Sequence, residues 1–398
     1  MAEGPVFAPY TLPGERVVVS VIGQRAELQR ILEPSPERVD PPCPHFGICG
    51  GCALQHWAPA PYLAWKAEQL RLVLARERIE TDILPVVAIA PGARRRLALH
   101  VRRRADGTVL LGFKSRRSWR LAPIETCLLA APALVGVLPA LRLLAAPFLE
   151  HPLSAPTLHV TSTLTGLEVD VTGVERRSGG LSADARVRAA AAATQADLAR
   201  LTLAGEILYQ DREPLVRFGS ATVGLPPGAF LQASEQAEEA IARFILQESA
   251  GARRFADLFC GVGTFTFRLA AQAPVIAVDL SSPALEALRG AIGGAPGLKS
   301  ITTEIRDLDR RPVLARELAG VDVAVFDPPR AGAAAQASQL AASNVSRVLG
   351  VSCNPASFAR DAQILVRGGF TLERLLPVDQ FLWSPHIELV GVFHRNGA

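Results

Sequence analysis

From residue 254 to the C-terminus, short apolar runs alternate with helical stretches, and few folds accommodate that pattern. The apolar runs are 254–259, 274–279, 300–304, 321–327, 346–352 and 370–376. Helical stretches at 264–272, 283–292, 333–343 and 356–366 separate most of them. Short strands joined by helical crossovers give an open, mainly parallel α/β sheet. Ligands bind such sheets outside the carboxyl ends of the strands. Residues 255–267 read Phe-Ala-Asp-Leu-Phe-Cys-Gly-Val-Gly-Thr-Phe-Thr-Phe, a strand end, a tight turn at Gly261 and Gly263, and a helix start. Glycine lets backbone approach a ligand closely. The third glycine of a dinucleotide fingerprint is missing, which disfavours a pyrophosphate site. Asp279 ends the next strand, where its carboxylate can accept the ribose hydroxyls of an adenosyl ligand. Asp327-Pro-Pro-Arg330 makes a rigid turn after another strand. Cys353, in Val351-Ser-Cys-Asn-Pro355, reaches the same sheet edge. A thiol there is a nucleophile candidate, the other reading being a buried structural cysteine.

The first 250 residues are patterned differently. Residues 1–36 alternate in short β-like runs. Pro34, Pro36, Pro41 and Pro42 form a stiff connector, and 60–79 has helical periodicity. Short β runs then dominate to about 225: Leu97 to Arg104, Val109 to Phe113, Thr157 to Thr161 and Gly166 to Val171. Asp106-Gly107 signals a hairpin, and a helix is expected within 183–202. Cys127 to Leu141 reads as buried helix or core. Pro226-Pro227-Gly228 marks a break, and a helix starts near Ser234. The expected domains are therefore a β segment at 1–36, a β-rich unit at 37–235 and a catalytic α/β unit at 236–398. No run of 18 apolar residues occurs, so no membrane span is expected. The N-terminus lacks a signal-peptide pattern, which points to the cytoplasm.

Six cysteines in 398 residues are too few for a disulfide scaffold. Cys43, Cys49 and Cys52 cluster among glycines 47, 50 and 51, and Cys127 is a fourth thiol. Four thiolates suit a structural zinc or an iron–sulfur cluster, and spacing does not decide between them. His45 reads as a hydrogen-bonding histidine rather than a ligand. Between Arg94 and Arg120, ten basic residues oppose one acid, against a net charge of +4 for the whole chain. Such a local patch suits a polyanion. Arg94, Arg95, Arg96, Arg102, Arg116 and Arg117 are its candidate phosphate contacts. Trp119 and Phe113 either stack on unpaired bases or belong to the core.

Asp257-Leu-Phe-Cys-Gly-Val-Gly-Thr264, Asp327-Pro-Pro-Arg330, Ser352-Cys-Asn-Pro355 and His386-Ile-Glu388 occur in this order. Together they resemble the S-adenosylmethionine-dependent RNA 5-methyluridine methyltransferases. The resemblance runs from about residue 30 onward and is nearest to the iron–sulfur-containing 23S rRNA uracil-C5 enzymes. It implies a class I, Rossmann-like methyltransferase domain. It makes Cys353 the nucleophile that adds to uracil C6 and Glu388 the base that removes the C5 proton. It assigns the methyl donor to Gln232, Phe259, Gly261, Thr264, Asp279, Asp307 and Asp327, with Arg330 beside the RNA. The family often has a glutamate in place of Asp279 and an amide in place of Asp307. The resemblance also favours a [4Fe–4S] cluster on Cys43, Cys49, Cys52 and Cys127 over zinc, and reads residues 1–36 as the second half of a TRAM-type barrel. A monomer acting on 23S rRNA is the expected function. The same chemistry on the tRNA T-loop, or a noncatalytic RNA-binding protein, are the alternatives. A C5 atom inside a duplex is out of reach, so the target uracil must be unpaired or flipped.

Overall fold

The computed structural model describes residues 5–175 and 180–397. Near the N-terminus, Arg16–Ile22 and Arg25–Glu33 pair as an antiparallel hairpin. A seven-stranded sheet follows. Its order is Glu206–Gln210, Leu198–Leu203, Gly166–Thr172, Thr157–Thr163, Arg96–Arg103, Val109–Lys114 and Leu121–Pro123. The helices Leu138–Ala145 and Ala183–Gln195 share one apolar core with it, through Leu141, Leu144, Ala185 and Ala189 packed with Leu99, Leu158 and Val169.

The helix expected within 183–202 is Ala183–Gln195, and the strand Leu198–Leu203, which the sequence did not signal, follows it. Asp197 turns the chain with a left-handed φ of 50°. Every residue of that strand is buried, pairing parallel to Gly166–Thr172 on one side and antiparallel to Glu206–Gln210 on the other. Central position in the sheet thus overrides an alanine-rich helical approach. Within it, the buried Arg200 pairs with Glu168 and donates to the Leu225 carbonyl at 2.6 Å.

Gly112 sits where Val109–Lys114 meets Leu121–Pro123. A Cβ added there would run into the Ala122 carbonyl. Gly112→Ala is therefore expected to destabilise the protein by about 1–3 kcal/mol, read as a lower melting temperature. An unchanged melting temperature would contradict this packing.

The second large sheet follows the expected alternation closely. Its order is Ile301–Ile305, Val275–Asp279, Phe255–Leu258, Val323–Phe326, Arg347–Ser352, Glu388–Arg395, Phe370–Asp379 and Asp82–Ile83, with Val87–Ala88 also paired to Phe370–Asp379. Only Glu388–Arg395 runs against the rest. Strand order reverses between Phe255–Leu258 and Val323–Phe326, which opens a crevice at their carboxyl ends.

The unit drawn at 37–235 does not follow the packing. The helix Pro59–Arg76 buries Leu70 and Leu74 in the core of the second sheet, and Asp82–Ile83 and Val87–Ala88 extend that sheet. The hairpin Leu215–Phe218 and Ala221–Gly224 packs with Leu285 and Leu288 of the helix Ser282–Ile292. Proximity in sequence suggested one unit, whereas apolar contact divides the segment between two sheets. Among the described residues no helix is long and apolar enough to cross a membrane.

Candidate active site

A cavity of about 840 Å³ opens at the carboxyl ends of the second sheet, roofed by residues of the seven-stranded sheet. Gln232, Phe259, Gly261, Asp279, Asp327, Arg330, Cys353 and Glu388 all line it, joined by Arg94, Arg96, Gln380 and His386. Thr264 and Asp307 are not on this wall. The Asp307 carboxylate instead accepts from the amides of Asp309 and Arg310 at 3.1 and 3.2 Å.

The glycine turn shapes one end. Gly261 and Gly263 have φ of +55° and +94°. A Cβ on Gly263 would come within 2.6 Å of the Phe267 ring. Phe259 itself adopts φ +64°, a strained state for a residue with a side chain, and it lines the cavity. The Gly261 amide donates to Asp279 Oδ2 and the Ser281 amide to Oδ1, each at 2.8 Å. Asp279 is thereby held rigidly at the strand end, with lone pairs remaining for a ligand. Cys260 is buried in the core behind the turn, the place of a structural thiol.

At the other end, Asn354 explains why the cysteine is followed by Asn-Pro. Its Oδ1 accepts from the Ala356 amide at 3.2 Å, capping the helix Pro355–Arg367. Its Nδ2 donates to the Arg330 carbonyl at 2.9 Å. The strand-to-helix turn carrying Cys353 is thus tied to the Asp327-Pro-Pro-Arg330 turn.

Burial first, and the neighbouring Glu388 second, push the Cys353 thiol up to about 11, while Arg330 acts the other way. Burial raises Asp327 to about 7. Burial and then Asp327 hold Glu388 well above the usual carboxylate range. A continuous hydrogen-bonded row links these acids. Gln232 Nε2 donates to Asp327 Oδ2 at 2.9 Å, and Gln380 Nε2 donates to Gln232 Oε1 at 3.1 Å and to Glu388 Oε2.

Behind the row, buried Lys66 pairs with Asp379 and donates to the His386 carbonyl at 2.6 Å. The Tyr62 hydroxyl donates to Asp379 Oδ2 at 2.8 Å and accepts from the Trp383 amide at 2.9 Å. The Trp383 carbonyl accepts from the amides of Ala53 and Leu54 at 2.8 and 3.0 Å. The segment between Gln380 and Glu388 is therefore clamped from both the helix Pro59–Arg76 and the cysteine loop. Sequence reading missed Gln380, Lys66 and Asp379, because their partners lie 148, 313 and 317 positions away.

Cys43, Cys49, Cys52 and Cys127 line a second cavity of about 320 Å³, which shares Arg94, Phe381 and His386 with the first. Among the described residues, no group of three or more His, Cys, Asp or Glu stands ready-made to hold a metal ion. The donor set nonetheless fits one: four free thiols face one space, and the Gly51 amide donates to Cys49 Sγ at 3.4 Å. His45 Nε2 accepts from the Glu125 amide at 3.3 Å, which occupies that ring nitrogen.

The basic segment is not a single patch. Arg102 is exposed at one end of the strand Val109–Lys114, and Arg116 and Arg117 at the other, about 20 Å apart. Arg116 stands over the Tyr10 ring, and Lys114 over the exposed Trp119 ring at 3.9 Å. Arg95 is committed inside the protein, to Glu238 and to the Gln232 carbonyl. Arg94 and Arg96 are half-buried, and Arg96 donates to the Leu231 carbonyl at 2.8 Å. Phe113 packs against the core of the seven-stranded sheet.

Residues 298–396 match the family model described as tRNA (Uracil-5-)-methyltransferase. The chain is 34% identical over 411 residues to the 23S rRNA (uracil(1939)-C(5))-methyltransferase RlmD of Chromohalobacter salexigens, covering 98% of this chain and 85% of that protein. The chain belongs to the RNA uracil-C5 methyltransferase family. It is also 62% identical over 396 residues to an uncharacterized RNA methyltransferase of Caulobacter vibrioides, covering 99% of this chain and 95% of that one. A solved tRNA (uracil-54, C5)-methyltransferase of Pyrococcus abyssi, bound to S-adenosyl-L-homocysteine, superposes with a TM-score of 0.74. The identity is 22%, over 98% of this chain and 94% of that chain, which establishes a shared fold. As an RNA uracil-C5 methyltransferase, the protein is an S-adenosylmethionine-dependent enzyme with an α/β fold.

Proposed function

We propose that this enzyme methylates C5 of a specific uridine in 23S rRNA, as a cytoplasmic monomer. The observation that carries the reading is that Cys353 and Glu388 share one cavity with Phe259, Gly261 and Asp279. On this reading Cys353 is the nucleophile, Glu388 the base, and the Phe259–Gly261 turn with Asp279 the adenosyl-binding end. The rRNA target rests on the RlmD relative.

Uracil C5 is a weak nucleophile by itself. The Cys353 thiol gives its proton to solvent, the thiolate sulfur adds to C6, and the C5=C6 electron pair moves toward O4. The resulting enolate carbon, C5, attacks the methyl carbon of the bound S-adenosylmethionine, and the methyl–sulfonium bond breaks with its electrons remaining on sulfur. Glu388 then takes the C5 proton. The C5–H electron pair re-forms C5=C6, and the Cys353 thiolate departs. Arg330, at the cavity rim, balances the negative charge that develops on sulfur.

In this proposal Asp279 orients the adenosyl group, with Gln232, Phe259, Gly261 and Asp327 beside it. Thr264 and Asp307, which lie off this wall, are the remaining donor-site residues of the proposal. Cys43, Cys49, Cys52 and Cys127 hold a [4Fe–4S] cluster, with zinc the other metal that four thiolates suit. The metal would supply structural closure of the loop, since ligation and folding of such sites are coupled. The N-terminal hairpin Arg16–Ile22 and Arg25–Glu33 would be a TRAM-like β element. RNA would cross Arg102 at one end and Arg116, Arg117 and Trp119 at the other, with Arg94 and Arg96 in the cavity.

Nucleoside analysis of 23S rRNA and bulk tRNA from a strain lacking the gene tests the target. Loss of 5-methyluridine from rRNA alone is expected. Loss from tRNA alone would move the substrate to tRNA, and no loss from either would overturn the assignment. Asp279→Ala removes the carboxylate that fixes the Gly261 turn. It is expected to weaken S-adenosyl-L-homocysteine binding by about 1–3 kcal/mol, roughly 5- to 150-fold in Kd by calorimetry. Unaltered affinity would remove Asp279 from the donor site.

A further inference from the structure

Gln380 lies between Glu388 and Gln232 on the cavity wall and is only 6% exposed. Its two polar atoms are treated unequally. The nitrogen donates both to Glu388 Oε2 and, at 3.1 Å, to Gln232 Oε1. The oxygen is buried and has no hydrogen-bond partner among the described residues. An acceptor stranded in this way costs free energy unless a ligand supplies a donor.

The amide cannot satisfy itself by turning over. Gln232 is fixed because its own nitrogen donates to Asp327 at 2.9 Å, which leaves Gln232 Oε1 facing Gln380. With Glu388 in the ionised form that its role as base requires, a reversed Gln380 would set its oxygen against Gln232 Oε1 and Glu388 Oε2, acceptor against acceptor. Asp327 at one end and Glu388 at the other thus lock both carboxamides in one sense. The terminal torsion of a glutamine is soft, so small rotations remain available to meet a ligand.

We propose that Gln380 Oε1 accepts the N3–H of the target base and is the residue that selects uracil over cytosine. Uracil presents a donor at N3. Cytosine presents a lone pair there, which would meet the locked oxygen head-on. Sites that hydrogen-bond a substrate N–H reject analogues lacking it strongly, because a buried polar group is left unpaired. The assignment rests on the proposed uracil-C5 reading of the same cavity. It adds base selection to a residue that also orients Glu388.

The test uses full-length enzyme and synthetic RNA spanning the mapped uridine. The target position carries uridine, 3-methyluridine or cytidine, and kcat/KM for methyl transfer is measured for each. Wild type is expected to favour uridine over both analogues by about 10³-fold or more. In Gln380→Ala, which also makes room for the extra methyl, loss of Glu388 orientation lowers all three values alike, and the uridine value falls further than the analogue values. The uridine preference is then expected to shrink at least about 30-fold. Gln380→Met keeps the side-chain volume and repeats the measurement against cytidine should the alanine variant fold poorly. If all substrates lose activity by the same factor, so that the preference is unchanged, Gln380 serves Glu388 alone and base selection is overturned. If wild type transfers no methyl to the uridine RNA, the uracil-C5 reading falls, and the Gln380 assignment with it.

Discussion

Cys353→Ala is expected to reduce methyl transfer by about 10⁴-fold or more, with S-adenosyl-L-homocysteine binding unchanged. The asymmetry follows from position. Cys353 stands at the Arg330 and Glu388 end of the cavity, and the glycine turn and Asp279 form the other end. Transfer of a tritiated methyl group to RNA measures the first quantity and calorimetry the second. Activity retained in the variant would rule out covalent activation of the base. The pH profile gives a second check with a definite sign. Burial and Glu388 push the thiol to about 11, so at neutral pH it holds its proton. The reactive thiolate becomes commoner as pH rises, and kcat/KM should climb about tenfold per pH unit between 7 and 9. A flat profile there would show that the thiol is deprotonated by other means.

Lys66→Met should be the most destabilising single change near the site, costing about 3–5 kcal/mol. Lys66 is 1% exposed and its partner Asp379 is fully buried. Removing the cation leaves a carboxylate inside the protein with, among the described residues, the Tyr62 hydroxyl as its remaining side-chain partner. The lost bond to the His386 carbonyl would also release the segment before Glu388. Urea titration is expected to show the loss, together with reduced activity of the folded fraction. The double variant Lys66→Met, Asp379→Leu should recover much of the stability, because an apolar pair of similar volume carries no desolvation cost. A single-variant loss below about 1 kcal/mol would mean that water reaches the pair and screens it.

Much of the catalytic sheet was legible because its strands and helices have strong, separate periodicities. The strand Val275–Asp279 and the helix Ser282–Ile292 lie within a residue or so of where the pattern placed them. Glycines, prolines and Asn354 marked the turns because each has a local backbone reason to be there. The strand Leu198–Leu203 was hidden, since its local composition continues a helix and only its two neighbouring strands make it extended. The basic segment read as one patch because charge can be counted along a chain, whereas its distribution over a strand cannot.

The sequence by itself determined the alternation that builds the sheet, the turn residues at its carboxyl edge, and the chemical types available there: a thiol, carboxylates and glycines. The tertiary structure alone decided which of these share a cavity. It placed Phe259, Gly261, Asp279, Asp327, Cys353 and Glu388 on one wall, left Thr264 and Asp307 off it, and turned Arg95 inward. It also brought Lys66 to Asp379 and Gln232 to Gln380. The physical reason is range: backbone propensity acts over a few residues, whereas burial and hydrogen-bond satisfaction act between any groups the fold brings together.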